Sequence, residues 1–456
     1  GGMISRQQKI SKEFYRNFFS LYFVLVLQNV VTLSVNLTDN IMLGAYSETA
    51  LSGVSAVNQI QFVFQQLVMA LGDGLVIFCS QYWGKKQTEP VRKISATAMQ
   101  AAVVIAVILF ILVSIFPHQA VNIFTTDEAI IQQGMEYLNI IRFTYLFFAM
   151  TQILLAVLRS VEIVNIAFSL SVMTFCINCA VNYTLIYGNF GAPGLGAAGA
   201  AIGTLAARIV EFTVLIVYVT KKAPFLKLNL RSFLRFDRVL AKDYVKITSP
   251  MLVVSGLWGV NTALQTVILG HMTSAAIAAN SVASNIFLMV KSMAVGASSA
   301  ASVIIGKTIG MGDISLVKKY ASTLQKMFAV IGIISGLLLF TIRIPILEIY
   351  DLSPRTKEMA NTFLVILSVV VVGMSYQMPT NNGIIRGGGN AAFVVRMDLI
   401  SIWCIVIPLS FVMAFIVKAS PAVVVCCLNA DQIFKCVPAF LESNYGNWIR
   451  KLTRDT

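Results

Sequence analysis

Long apolar runs separated by short polar segments make up most of this chain. A membrane-crossing helix needs about 20 mostly apolar residues. Runs of that length lie at approximately 16–43, 52–80, 94–116, 132–158, 163–188, 194–219, 244–270, 277–305, 320–342, 359–384, 394–417 and 421–441. Asp431 and Lys435 interrupt the last of them. Pro250, Pro379 and Pro408 fall inside runs. A lipid-embedded bundle tolerates such prolines because neighbouring helices satisfy the freed backbone groups. The pattern predicts an all-α polytopic membrane protein with twelve transmembrane helices. Gly1-Gly2 ahead of Met3 reads as an expression remnant. No cleavable signal peptide is expected, because the first run follows Arg6, Lys9, Lys12 and Arg16 and is long enough to span.

The polar segments set the orientation, since cytoplasmic loops carry an excess of Lys and Arg. With the N-terminus inside, the inner segments hold Arg6, Lys9 and Lys12; Lys85, Lys86, Arg92 and Lys93; Arg159; Lys307, Lys318 and Lys319; Arg386; and Arg450, Lys451 and Arg454. The outer segments near 46–51, 190–193 and 271–276 carry no Lys or Arg, and the one near 343–358 is mixed. An even number of helices then places both termini in the cytoplasm, with the plasma membrane (the inner membrane of a bacterial cell) as the expected location.

The segment 221–246 holds Lys221, Lys222, Lys227, Arg231, Arg235, Arg238, Lys242 and Lys246 against Asp237 and Asp243. It predicts a cytoplasmic linker, partly an amphipathic helix on the anionic inner leaflet. The runs on either side repeat. Met42-Leu43-Gly44, Ala50 and Ile60 match Ile268-Leu269-Gly270, Ala276 and Ile286 at a constant offset of 226, which Gly84 and Gly310 keep. The offset spans an even number of helices, so the halves are related without inversion. Parallel repeats of this kind build transporters with a central cleft between halves. The expected organisation is an N-terminal lobe over 1–220, a basic linker over 221–243 and a C-terminal lobe with its tail over 244–456.

Composition narrows the function. Of 456 residues, 57% are hydrophobic and 12% charged, with a mean hydropathy of +0.80. A soluble domain carries about 25% charged residues, so the apolar surface must face lipid. The net charge of +14 comes mostly from residues between apolar runs, the pattern of inner loops rather than of a nucleic-acid-binding face. Seven cysteines lie in or near apolar runs, and their spacing fits no zinc ligand set. They are expected to be small apolar packing residues. The two histidines, His118 and His271, stand near outer loops with no nucleophile–base pair about them. A Gly-rich phosphate loop ending in Lys-Ser/Thr is absent from the sequence, which argues against ATP-driven transport within this chain. The chain is expected to be neither an enzyme nor cofactor-dependent.

Several segments resemble the multidrug and toxic compound extrusion (MATE) family, in its bacterial type. The first run ends Val35-Asn36-Leu37-Thr38-Asp39-Asn40-Ile41-Met42-Leu43-Gly44, similar to the family's Asp-x-x-x-x-Gly. The second ends Gln81-Tyr82-Trp83-Gly84 and the fourth Leu158-Arg159-Ser160. The fifth carries Asn178-x-x-x-Asn182-Tyr183 and runs to Gly188, ahead of Gly191-Ala192-Pro193-Gly194-Leu195-Gly196 and Gly199-Ala200-Ala201-Ile202-Gly203-Thr204. The second half has Ile385-Arg386-Gly387-Gly388-Gly389-Asn390. The resemblance covers nearly the whole chain. It implies a two-lobed, V-shaped bundle that exports organic cations or drugs, as a monomer among membrane lipids, in exchange for protons or sodium. A lipid-linked precursor flippase of related architecture is the alternative. It calls for several basic groups in the cleft, for which Lys291 and Arg208 are the available residues.

An ionisable side chain inside a span is a functional candidate by default. Asp39 leads, and the matching family position is the cation-coupling acid. By the same resemblance its neighbours are Asn178, Asn182 and Thr204, with Tyr145 a further candidate. Such oxygens can hold a hard cation, so sodium at Asp39 is one expectation, and a carboxylate removed from water can instead exchange its charge for a proton. The asparagines have a second reading as interhelical hydrogen-bonding residues. Asp73 stands beside Gly72 and Gly74, which suggests a kink or inner gate as readily as coupling. Asp398 is expected to pair with Arg396, and Glu211 with Arg208 three residues away. Lys291 is expected to pair with Asp398, replace a bound cation or line a wet cleft. Some family branches carry acids where Trp258 and Ser375 align here, so coupling through the second half is not expected from those positions.

Overall fold

A computed structural model of the chain describes residues 2–350 and 352–455, with side chains described from residue 12 onward except at 266, 270, 274 and 277. Gly1, the basic residues Arg6 and Lys9, and the repeat residue Gly270 therefore lie outside the residues whose side chains are described. The helices are α1 (Gly2–Tyr46), α2 (Glu48–Gly84), α3 (Thr88–Ile115), α4 (Pro117–Asn122), α5 (Glu128–Ile141), α6 (Thr144–Ser160), α7 (Asn165–Tyr187), α8 (Ala197–Lys222), α9 (Leu230–Leu234), α10 (Arg238–Gly270), α11 (Ser274–Gly310), α12 (Ile314–Ile349), α13 (Pro354–Met378), α14 (Ala391–Leu399), α15 (Ile407–Phe411), α16 (Pro421–Leu428), α17 (Asp431–Phe434) and α18 (Cys436–Tyr445). The described residues contain no strand. Eleven spans are long and apolar enough to cross a membrane, and the bent pair α5–α6 makes a twelfth. The expected all-α polytopic fold is therefore present.

Several boundaries differ from the apolar pattern, each for a local reason. The run at 132–158 is two helices meeting at 54°. At the break the Thr144 hydroxyl donates to the Ile141 carbonyl at 2.6 Å and Arg142 Nε to the Asn139 carbonyl at 3.1 Å, so side chains satisfy groups that leave the helix ladder. The last run is broken at Asn429–Ala430 and again at Lys435, but continues to Tyr445. Pro379 opens a wide π-helical turn over Pro379–Ile385 that prolongs α13, and Pro408 sits in α15 between two further π-helical stretches. A proline removes a ladder donor, and such turns redistribute the freed carbonyls. Between α8 and α10 the basic segment holds a 3-10 turn at Pro224–Leu226 and the short α9, and α10 starts at Arg238, before the expected residue 244. Of the seven cysteines only Cys79 is buried; Cys176, Cys404 and Cys426 are exposed. Those three are not packed in the interior of their unit.

The chain forms two compact units. One comprises Leu27–Cys79 and Lys86–Ser255; the other comprises Gly1–Val26, Ser80–Lys85 and Gly256–Thr456. They are called the Asp39 unit and the Lys291 unit below. Within the Lys291 unit the repeat-related glycines meet. A Cβ on Gly84 would stand 2.0 Å from the Lys307 carbonyl oxygen, and one on Gly310 1.9 Å from that of Gln81. Only glycine permits so close a backbone approach. Around it, Gln81 Nε2 donates to the Arg450 carbonyl at 2.9 Å, and Gln81 Oε1 accepts from the Leu452 N–H at 2.8 Å. Arg454 N–H donates to the Tyr82 hydroxyl at 3.1 Å. The C-terminal tail is thus held by side chains of the C-terminal end of α2.

Candidate functional site

In the Asp39 unit, α7 carries Asn178 and Asn182 one turn apart, hence on one face. Both are buried, at 2% and 0% exposure, and both aim their amide nitrogens at half-buried Asp39 on α1. Asn178 Nδ2 donates to Asp39 Oδ2 at 3.1 Å and Oδ1 at 3.2 Å; Asn182 Nδ2 donates to Oδ1. On α8, Thr204 Oγ1 donates to Asn178 Oδ1 at 3.5 Å and to the Ala200 carbonyl at 3.2 Å. A Cβ on Gly203 would stand 2.4 Å from Asn182 Oδ1, so the bare backbone of α8 is what admits that amide. Tyr187 ties the end of α1 to α7 by donating its hydroxyl to the Met42 carbonyl.

The structure therefore brings together Asp39, Asn178, Asn182 and Thr204. A carboxylate only accepts hydrogen bonds, and here its two oxygens receive amide N–H groups from two side chains. The site as arranged is complementary to the anion. Asn182 Oδ1 is left as a buried acceptor with no hydrogen-bond partner. Buried polar atoms are nearly always partnered, so this oxygen is an unused acceptor beside the carboxylate's amide donor.

A second polar group adjoins. Arg208 lies within electrostatic reach of Asp39. Its guanidinium sits 3.3 Å from Glu211 and 5.2 Å above the Phe148 ring. Buried Glu211 also accepts from the Thr174 hydroxyl at 2.6 Å. The expected Arg208–Glu211 pair is present. Sequence reasoning passed over Thr174 and the nearness of Arg208 to Asp39. The signal for Thr174 was available: Thr174, Asn178 and Asn182 form an i, i+4, i+8 polar stripe on α7. The remaining candidate of this group, Tyr145, is not at the carboxylate. It is buried against Phe64, with ring centroids 5.3 Å apart, and its hydroxyl has no partner.

The secondary candidates sit elsewhere. Asp73 pairs with Arg159 at 3.4 Å, and α2 runs as one helix through Gly72 and Gly74. Asp398 pairs not with Arg396 but with Lys435, at 2.9 Å. Residues two apart on a helix project to different sides, which is why the sequence neighbour is the wrong partner. Lys435 Nζ also holds Asp431 at 3.3 Å. Lys291 does not pair with Asp398; its ammonium lies 5.3 Å from the centroid of the Trp258 ring. Ser375 is buried with its hydroxyl unpartnered.

The MatE family model matches residues 25–184 and 241–412. This chain belongs to the MatE family. Among similar proteins, a probable multidrug resistance protein NorM of Thermotoga maritima is 25% identical over 94% of this chain and 92% of its own length. The uncharacterized transporter YisQ of Bacillus subtilis is 21% identical over 95% of each. Two solved structures share the fold of this MatE protein. The Vibrio cholerae MATE transporter VcmN in its bent form has a TM-score of 0.81 at 15% identity, covering 95% of this chain and 97% of that one. A MOP superfamily transporter from Pyrococcus furiosus has a TM-score of 0.84 at 14% identity, covering 94% of each. As a MatE member the chain is a multi-pass membrane transporter and not an enzyme.

Proposed function

We propose that this MatE member is a secondary antiporter that exports organic cations or drugs in exchange for protons or sodium by alternating access, with Asp39 as the coupling acid. The observation that carries the reading is the buried amide clasp on Asp39, in which Asn178 and Asn182 both donate to its carboxylate. A charge inside a span is costly, and two amide donors offset that cost while the carboxylate is ionised. The donor polarity favours a proton over sodium. A sodium ion needs several oxygen ligands, and here the amide nitrogens face the carboxylate. A proton needs one acceptor, and half a turn of the Asn182 amide would offer its unpartnered Oδ1 to the new O–H. Thr204 and Asn178 Oδ1 complete the polar wall.

The basic inner segments support an orientation with both termini cytoplasmic in the plasma membrane. The repeat of 1–220 in 244–456, joined by 221–243, supports two related halves for the transport cycle. The names of relatives such as NorM support drug-like substrates. The flippase reading is weaker, because a pyrophosphate needs free basic groups. Of the two available residues, Arg208 is committed to Glu211, which leaves Lys291 as a single basic group.

The test is uptake of a fluorescent organic cation into proteoliposomes under imposed proton or sodium gradients, for the native chain and Asp39→Asn. The native chain is expected to respond to the proton gradient and the variant to lose that response. Response to sodium alone would reassign the ion, and no cation transport under either gradient by folded protein would end the antiporter reading.

A further inference from the structure

In the Lys291 unit, Trp258 on α10 and Lys291 on α11 are both half-buried. The Lys291 ammonium lies 5.3 Å from the Trp258 ring centroid, inside the roughly 6 Å range of a cation–π contact. The nearby carboxylates are engaged elsewhere. Asp398 and Asp431 both hold Lys435, at 2.9 and 3.3 Å. Among the described residues no carboxylate lies within 4.0 Å of Lys291 Nζ. Among the described residues, Asp431 and Lys435 are the charged groups whose field reaches Lys291. A basic side chain inside a membrane protein normally pairs with an acid or a carbonyl. This one rests on an aromatic face, and that face is chemically a seat for any monocation.

We propose that Trp258 is a binding seat for an organic monocation and that the Lys291 ammonium is its tethered competitor. This inference rests on the organic-cation antiport reading above. When Lys291 carries its proton, its charge occupies the ring face. When an organic cation takes the face, Lys291 becomes a neutral amine and its proton passes to water. The seat holds one positive charge before and after, so the exchange is one proton for one monocation without a net change of charge. Double occupancy would place two cations on one ring face, and their mutual repulsion opposes it. The seat is separate from Asp39 in residues and in unit.

The experiment is equilibrium binding of tetraphenylphosphonium to the purified full chain in detergent, from pH 6 to pH 9. It compares the native chain with Lys291→Gln, Lys291→Arg and Trp258→Leu, each also on an Asp39→Asn background so that proton competition at Asp39 is removed. Lys291→Gln is expected to bind the probe about two- to fivefold more tightly at low pH and to lose the Lys291-dependent rise of affinity with pH. Lys291→Arg keeps its charge at every pH and is expected to bind weakly throughout. Trp258→Leu is expected to bind about two- to fivefold more weakly at high pH. Should Lys291→Gln match the native chain at every pH while melting at the native temperature, the inference is overturned and the antiport reading stands. If Lys291→Gln does not fold, Lys291→Arg decides: native-like, pH-dependent binding by that variant overturns the inference. If the native chain neither binds the probe nor transports any organic cation, both fall together.

Discussion

At the residue scale the decisive pairing is a carboxylate with two amides. Asp39 alone would be an expensive charge in a membrane helix. Asn178 and Asn182 make it affordable in the folded state by meeting its oxygens with N–H donors. That arrangement depends on an atom that is absent, the side chain of Gly203. A methyl group there would stand 2.4 Å from Asn182 Oδ1. The obstacle is the end of a side chain, which can turn, so the fold should survive while the clasp does not. Gly203→Ala is expected to cost no more than about 1–2 kcal/mol of stability while reducing proton-driven transport. Thermal melting in detergent and proteoliposome uptake, run on the same preparations, check this.

At the scale of elements, helices here begin and break where side chains take over from the backbone. Asp237 sets the start of α10: its Oδ1 accepts from the N–H groups of Leu240 at 3.0 Å and Val239 at 3.1 Å, and its other oxygen lies 3.3 Å from Lys93. Gln100 Nε2 donates to the carbonyls of Phe233 and Arg235, which fastens the basic segment to α3. The Leu240 N–H, with Lys93 and the Val239 N–H, holds the Asp237 carboxyl below the usual carboxylate range. A lowered folded value means the stabilisation is full above the unfolded carboxyl value of about 3.9 and is lost as pH falls through the folded one. Asp237→Ala is therefore expected to cost about 1 kcal/mol at pH 7. Its melting temperature should converge on that of the native chain as pH drops below about 3.9. A gap that stays constant from pH 7 to pH 3 would show that the cap is not the cause.

At the scale of the whole molecule, the energetics limit what the transporter can do. One pH unit is worth about 1.4 kcal/mol, and 100 mV moves one charge with about 2.3 kcal/mol. A one-for-one exchange of a proton for a monovalent cation moves no net charge. It should sustain about a tenfold substrate gradient per pH unit and be indifferent to membrane potential. Clamping proteoliposomes at zero or about 100 mV with a potassium diffusion potential should leave the steady gradient of a monovalent cation unchanged. A gradient that follows the potential would require more than one proton per cation, or a neutral substrate, and would remove the one-for-one stoichiometry.

Hydropathy determined the apolar runs, because a bilayer demands about 20 apolar residues wherever a helix crosses; the transporter class came from the internal repeat and the family resemblance. Hydropathy also determined Asp39, since a lone carboxylate in such a run has few bland explanations. The four-residue spacing of Asn178 and Asn182, with the family resemblance, led to their place beside it. Partners across helices were decided only by tertiary structure. Asp398 took Lys435 rather than its sequence neighbour, Asp73 took Arg159, and Tyr145 went to Phe64 instead of the carboxylate. The break at Ile141–Thr144 was equally hidden, because hydropathy does not register where a hydroxyl takes over from the ladder, whereas Asp431 and Lys435 already marked the last run as interrupted. A helix's own period fixes which residues share a face, but the angle and rotation at which two helices meet decide which side chains touch, and those follow from packing over the whole surface of each helix.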